Sequence, residues 1–527
     1  MHFAFLVNEV FRMICDSVAE SDRGRGDLAI LARTCRSLEG ISLDVLWGKR
    51  PINLVNALRA LPPDSWTYTY TELSPYAWPS FVRFHCFHAF RVNTNTEKYF
   101  QSLIRAISPS ELERFRYYTT RVTDLHLHFN TNINFETFQI LIDRYESFDW
   151  LSLWPRVKTL CWRTPPEDLQ FLEYFLTLGV RNLDIDLEGT DDEEFEEVLA
   201  LVESRCTNLE DLRLFDTETR EDRRSQDTIR QIIYNNSLTL RLFHPPQDLS
   251  VPLVKVILQL PVLRVLEMHI FEIPNRVPRD ILPSLENLDL TLYESSDVID
   301  LLGNLKESKL RRFALTCPYP TSKEDLATLA KFFDDSGLYG SVDSFSWEPH
   351  LGDAAPTWEL VTTLGRFANM QVLDLDTPCS PTCHFGFRHE HVVELSRWMP
   401  RLKELCFGGS PCAFGGLTTD IGYHTFVALT RNCPNLSLLS IHFNIITFVT
   451  LDYVEPNRNV VYWDVGDTAL PAEPLVHTII ALAASKLFPN ATLVGVTLKD
   501  IVAWSMIREE FLMFTLPAVH LPLDLSI

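Results

Sequence analysis

The chain has 527 residues, 46% of them hydrophobic and 22% charged, with a formal net charge of −23. That hydrophobic content belongs to a folded protein, and the length calls for two or more domains or an elongated repeat array. Forty-seven basic against 70 acidic residues argue against a phosphate-backbone binder, and eleven cysteines without a spaced framework point to a reducing compartment.

The opening "MHFAFLVNEVFRMICDSV" is apolar, but Asn8, Glu9 and Arg12 interrupt it and no small-residue cleavage site comes after it, so it does not read as a signal peptide. No stretch of about 18 uncharged apolar residues occurs, so no membrane span is expected and the chain reads as soluble and intracellular. Leu6, Val7, Val10, Ile14 and Val18 recur at three- and four-residue steps, which predicts a helix with one apolar side. Two glycines in "AESDRGRG" break it. Asp27 reads as the N-cap of a second helix carrying Leu28, Leu31, Ala32, Cys35 and Leu38, with Gly40 as its end and "ISLDVLW" as a third, short helix. Three such helices bury too little to be more than marginally stable alone. Their surplus apolar surface belongs either to the adjoining domain or to a partner.

From "LPPDSW" to about residue 120 the pattern is irregular. His85, Cys86 and His88 fall there, but two histidines around one cysteine are a weak metal signal, and a packed aromatic strand is the better reading. Beyond it one unit returns: "VTDLHL" at 122, "VKTLCW" at 157, "VRNLDI" at 180, "LEDLRL" at 209, "LRVLEM" at 263 and "LENLDL" at 285. "LRRFAL" at 310, "VDSFSW" at 342, "MQVLDL" at 370, "LKELCF" at 402, "LSLLSI" at 436 and "VVYWDV" at 460 complete twelve copies, with a weaker one, "SLTLRL", at 237. This is the L-x-x-L-x-L core of a leucine-rich repeat, one strand per unit, and it accounts for the spacing better than a doubly wound sheet does. "GTDDEEFEEVLALV" reads as a helix start, with Thr190 and Glu193 forming a capping box.

In such a unit the leucines face the core, so the third, fifth and seventh positions face outward from the strand. Over the twelve copies these positions hold Asp124, Asp184, Asp186, Asp211, Glu267, Asp289, Glu348, Asp374, Asp376, Glu404 and Asp464, against Arg163, Arg213 and Arg312. Asp184, Asp211, Glu267, Asp289, Asp374, Glu404 and Asp464 are therefore the expected substrate-facing set, suited to a basic segment.

"LVNEVFRMI", "DLAILARTCRS" and "DVLW", in that order near the N-terminus, resemble an F-box, with Val7 where proline is usual. "SPSELERFRYYTTRVTDL", "VVYWDVGDTAL" and "LVHTIIALAASKLFPN" resemble the entry and final repeats of fungal F-box proteins with leucine-rich repeats. The resemblance implies a small all-α F-box module over 1–50, an irregular connecting segment over 51–120, and an α/β leucine-rich-repeat solenoid over 121–527. The C-terminal stretch from about Leu475, with Phe488 and Trp504, would cap it. It further implies a non-catalytic substrate receptor of a Skp–cullin–F-box ubiquitin ligase, cytoplasmic or nuclear. Leu6, Val7, Val10, Ile14, Leu28, Leu31, Cys35 and Trp47 would form the adaptor-facing set, some of them holding the helices together instead. The alternative is a leucine-rich-repeat interaction scaffold without ligase coupling.

No nucleophile elbow, P-loop, H-E-x-x-H or G-x-G-x-x-G occurs, so no catalytic residue, cofactor, nucleic acid or membrane is expected. "CSPTCHFGFRHEH", with Cys379, Cys383, His384, His389 and His391, and with Cys406 or Cys412 near it, has spacing that zinc allows. It reads as a proline-bounded loop, and no metal ligand is assigned.

Overall fold

A computed structural model describes residues 3–21, 23–34, 36–71, 97–103, 105–128, 135–145, 148–216, 223–246, 249–270, 281–292, 305, 309–320, 327, 330–331, 333, 338–350, 362–375, 388–407, 421–441, 455–464, 474–494 and 507. The chain divides into two compact units, Met1–Gln247 and Asp248–Ile527.

The first unit opens with three helices, α1 (Phe3–Ala19), α2 (Gly24–Thr34) and α3 (Arg36–Gly48). Cys15, Ala19, Leu28 and Val45 form their core, with Phe11, Val18, Leu31, Ile41 and Leu46 packed partly buried around it. Two expected boundaries move. Asp27 lies inside the first turn of α2, and Gly40 lies within α3. Unbroken passage through Gly40 keeps Ile41, Val45 and Leu46 in one helical register against Leu28. The earlier start of α2 rests on Gly24, whose backbone crowds the end of α1. A Cβ there would run into the Val18 carbonyl oxygen, closer than any side chain tolerates.

A short strand β1 (Ile52–Asn53) and helix α4 (Leu54–Leu58) come next. The irregular stretch then yields an antiparallel pair, β2 (Trp66–Thr71) with β3 (Glu97–Leu103). His85, Cys86 and His88 lie outside the described residues. Helix α5 (Pro109–Thr119) starts with a capping box, Ser108 accepting the Glu111 N–H and Glu111 accepting the Ser108 N–H. The Arg105 guanidinium bridges Asp64 and Glu111 and holds the Glu111 carboxyl well below its usual range, at about 2.

Strands β4 (Asp124–His128), β5 (Thr159–Arg163), β6 (Asn182–Asp186), β7 (Asp211–Phe215) and β8 (Leu242–His244) pair in parallel and in chain order, with β1 on the outer side of β4. Helices α6 (Phe135–Arg144), α7 (Asp192–Arg205) and α8 (Arg223–Asn235) connect them. In the second unit helix α9 (Val251–Ile257) precedes β9 (Val265–Ile270), β10 (Asn287–Leu292), β11 (Arg312–Pro320), β12 (Ser344–His350) and β13 (Val372–Leu375). After them come α10 (His389–Trp398), β14 (Glu404–Phe407), α11 (Tyr423–Asn432), β15 (Leu438–Ile441), β16 (Tyr462–Asp464), α12 (Pro474–Leu487) and β17 (Thr492–Val494). Strands β9 to β17 are likewise parallel and in chain order.

Each of the twelve clear L-x-x-L-x-L segments holds a strand that begins at its third residue. The pleat explains the pattern: in β4, β6 and β7 alternate residues are buried, and the leucines and isoleucines are those residues. The helix after β6 is capped by Asp191 and Glu194 rather than Thr190 and Glu193. Asp191 Oδ1 accepts the Glu194 N–H at 2.9 Å, while the Thr190 hydroxyl turns back to the Leu187 carbonyl at 2.8 Å.

Buried asparagine side chains tie successive units together. Asn236 Oδ1 accepts the Leu209 N–H at 2.7 Å, and its Nδ2 donates to the Cys206 and Ile232 carbonyls at 3.0 and 2.8 Å. Asn457 Nδ2 likewise donates to the Cys433 carbonyl at 3.1 Å. Asn236→Ala leaves a buried N–H and carbonyl unpaired, so it should cost about 1–3 kcal/mol in denaturant unfolding. A variant with an unchanged midpoint would contradict that role. At the end of the second unit, Phe488 packs on Trp463 with ring centroids 5.2 Å apart. Trp504 lies outside the described residues.

Candidate functional site

The three N-terminal helices divide the expected adaptor-facing residues. Val10 and Ile14 are 51% and 50% exposed on α1, and between them Met13 is 70% exposed. Spacing of three and four residues puts these side chains on one stripe. Ile30 on α2 is 52% exposed. Leu28, by contrast, is a core residue at 1% exposure, and Leu31 packs beside it. Trp47 also faces inward within the unit, its ring 5.5 Å from that of Tyr118 on α5. Leu6 and Val7 lie on α1, but their side chains, and Cys35 as a whole, are outside the described residues. Sequence reasoning missed Met13 and Ile30. The i+3 step from Val10 could have found the first.

The far end of α3 is fixed to later residues of the same unit and to α1. Lys49 pairs with Asp16 at 3.3 Å, Asp44 with Arg121 at 3.1 Å, and the Thr123 hydroxyl donates to the Gly48 carbonyl. Arg50 donates to the Ala19 carbonyl at the end of α1. These bonds leave the Val10–Met13–Ile14 stripe uncovered.

On the outward face of the first unit's sheet, the expected acids are largely compensated. Arg163 and Asp184, on neighbouring strands, form a two-pronged pair at 3.0 and 2.8 Å, and the guanidinium sits over the Phe215 ring at 4.7 Å. In register, Asp184 also neighbours Arg213. Burial pushes the Asp186 and Asp211 carboxyls up, with Arg213 pulling Asp211 partly back. Beside them on the same face Asp124, His126, His128 and Cys161 lie together, with His126 Nε2 2.8 Å from Asp124 Oδ1.

In the second unit Glu267, Asp289, Asp374 and Glu404 occupy the outward positions of β9, β10, β13 and β14, half-exposed or exposed. The Ser346 hydroxyl lies 3.5 Å from Asp374 Oδ2. Asp464 is on β16, but its side chain is outside the described residues, as are those of Glu348 and Asp376. The acids of this face come from strands that a single repeat would never bring together.

Cys379, Cys383, His384 and Cys412 lie outside the described residues. His389 and His391 take structural partners, the Thr425 hydroxyl at 2.8 Å and the Arg388 N–H at 3.2 Å. Among the described residues no helix is long and apolar enough to cross a membrane. No protein-family model matches the chain, and no curated protein matches it either.

Proposed function

We propose that the chain is the substrate-recognition subunit of a Skp–cullin–F-box ubiquitin ligase, with α1–α3 as an F-box that docks on the adaptor. The parallel strands are then a leucine-rich-repeat solenoid that holds the protein substrate. The observation that carries the reading is the exposed stripe of Val10, Met13 and Ile14, with Ile30, on a three-helix module that already has its own core. Apolar side chains held that far into water are what a partner surface accounts for. The order of the motif segments and the strand at every L-x-x-L-x-L unit support the same reading.

On this reading the chain performs no chemistry. It supplies position: the adaptor end joins the cullin–RING catalytic assembly, and the strand face presents a bound partner to it. The test is co-purification of the full chain with a Skp-type adaptor. A stoichiometric complex that also takes up the cullin is expected. Retention of a substrate protein without any adaptor would instead leave the scaffold reading, with Val7 in the usual proline position as its motive.

A further inference from the structure

The outward face of β4 and β5 carries a grouping that the docking reading does not use. We propose that His126, His128 and Cys161 form a binding site for a thiophilic divalent cation of the zinc class, with the fourth coordination position open.

The topology builds the site. His126 and His128 are two apart on β4 and therefore share a face, and in the parallel register His126 stands opposite Cys161 of β5. One ligand atom from each, an imidazole nitrogen or the thiol sulfur, lies within 4.8 Å of the other two. His128 Nε2 is 3.4 Å from His126 Nδ1. A tetrahedral zinc with bonds of about 2.0–2.3 Å holds its donors about 3.5 Å apart, so side-chain rotation on a fixed backbone closes the remainder. Two imidazoles and a thiolate select a borderline, sulfur-tolerant ion over calcium or magnesium.

The surroundings fit. Asp124 Oδ1 is buried, lies 2.8 Å from His126 Nε2, and has no well-aligned donor. A carboxylate behind the far nitrogen of a ligating imidazole is the usual outer-shell partner, fixing the ring with Nδ1 toward the ion. The nearby cation, Arg163, is occupied by Asp184.

The protons balance on binding. His126 offers Nδ1 with its proton on Nε2, and His128 moves its proton from Nε2 to Nδ1 through solvent to free a lone pair. Cys161 releases its proton to water as sulfur bonds the metal. One proton leaves per ion, and no oxidant or reductant is needed.

The test uses the full chain, reduced and stripped with chelator, and does not depend on adaptor binding. Zn²⁺ is titrated in competition with a chromophoric indicator, and Co²⁺ is followed by its sulfur-to-metal charge-transfer absorption. One ion per chain and a single such band are expected, with the band lost in Cys161→Ser. His126→Asn and His128→Asn, at half-exposed positions, should keep the fold by circular dichroism and weaken zinc by about 100-fold or more. Asp124→Asn should weaken it by about tenfold. No charge-transfer band in the wild type, a band that survives Cys161→Ser, or folded histidine variants that bind zinc as tightly as wild type would each overturn the proposal.

Discussion

Full chain carrying Val10→Thr, Met13→Gln, Ile14→Thr and Ile30→Gln together should fold normally and fail to retain a Skp-type adaptor. All four side chains are at least half exposed, so the three-helix core of Cys15, Ala19, Leu28 and Val45 keeps every contact it has. If even two of them are central anchors worth about 2 kcal/mol each, affinity falls by roughly 1,000-fold. Leu28→Asp is the instructive contrast. It places a charge at a position 1% exposed, at a cost of several kcal/mol, so it removes binding by unfolding the module. Titration calorimetry beside thermal melting separates the two cases. Wild-type affinity in the folded quadruple variant would sink the docking assignment.

Charge reversal on the second unit's strand face should act on association rate. Asp289→Lys, Asp374→Lys and Glu404→Lys exchange three acids at outward positions for three bases. A partner with a Lys/Arg-rich segment should then associate at least about tenfold more slowly at low salt, since steering by such a field spans roughly 10–1,000-fold. Raising salt should slow the wild type toward the variant, because exposed charges are screened beyond about 10 Å at 0.1 M. Asp184 is unsuited to this experiment. A lysine there would lose the two-pronged bond to Arg163 and face it as a like charge. Equal rates for wild type and variant at every salt concentration, or an acidic partner, would refute a negative substrate face.

The strands are legible because each L-x-x-L-x-L unit states its own pleat: the apolar residues name the buried side. β1 at Ile52–Asn53 and β17 at Thr492–Val494 escape, since two or three residues carry no alternation to read, and so do β2 and β3, which belong to no such unit. The helices are harder to phase. On α1 and α2 apolar residues cover more than one side, so periodicity does not tell buried Leu28 from exposed Ile30 two positions on. Gly40 reads as a stop because isolated glycines often are, yet tertiary packing of Ile41, Val45 and Leu46 carries the helix through it. The His126–His128–Cys161 grouping is invisible in the sequence for another reason: its members sit in two repeats, and only the parallel register brings them opposite.

The pairing order of the sheet also has a consequence in time. Within each unit the strands from β4 onward pair with partners 22 to 35 residues away, as in Val265 with Asn287 and Asp124 with Thr159. β1 differs, for Ile52 waits on Leu125. A ribosome adding about 5–20 residues per second takes roughly 4–15 s to cover that gap. Through that interval the residues of α1–α3 have been added, but Arg121 and Thr123, which fix the far end of α3, come only at its close. The module then stands on Cys15, Ala19, Leu28 and Val45 alone, with Val10, Met13, Ile14 and Ile30 open to whatever reaches them first.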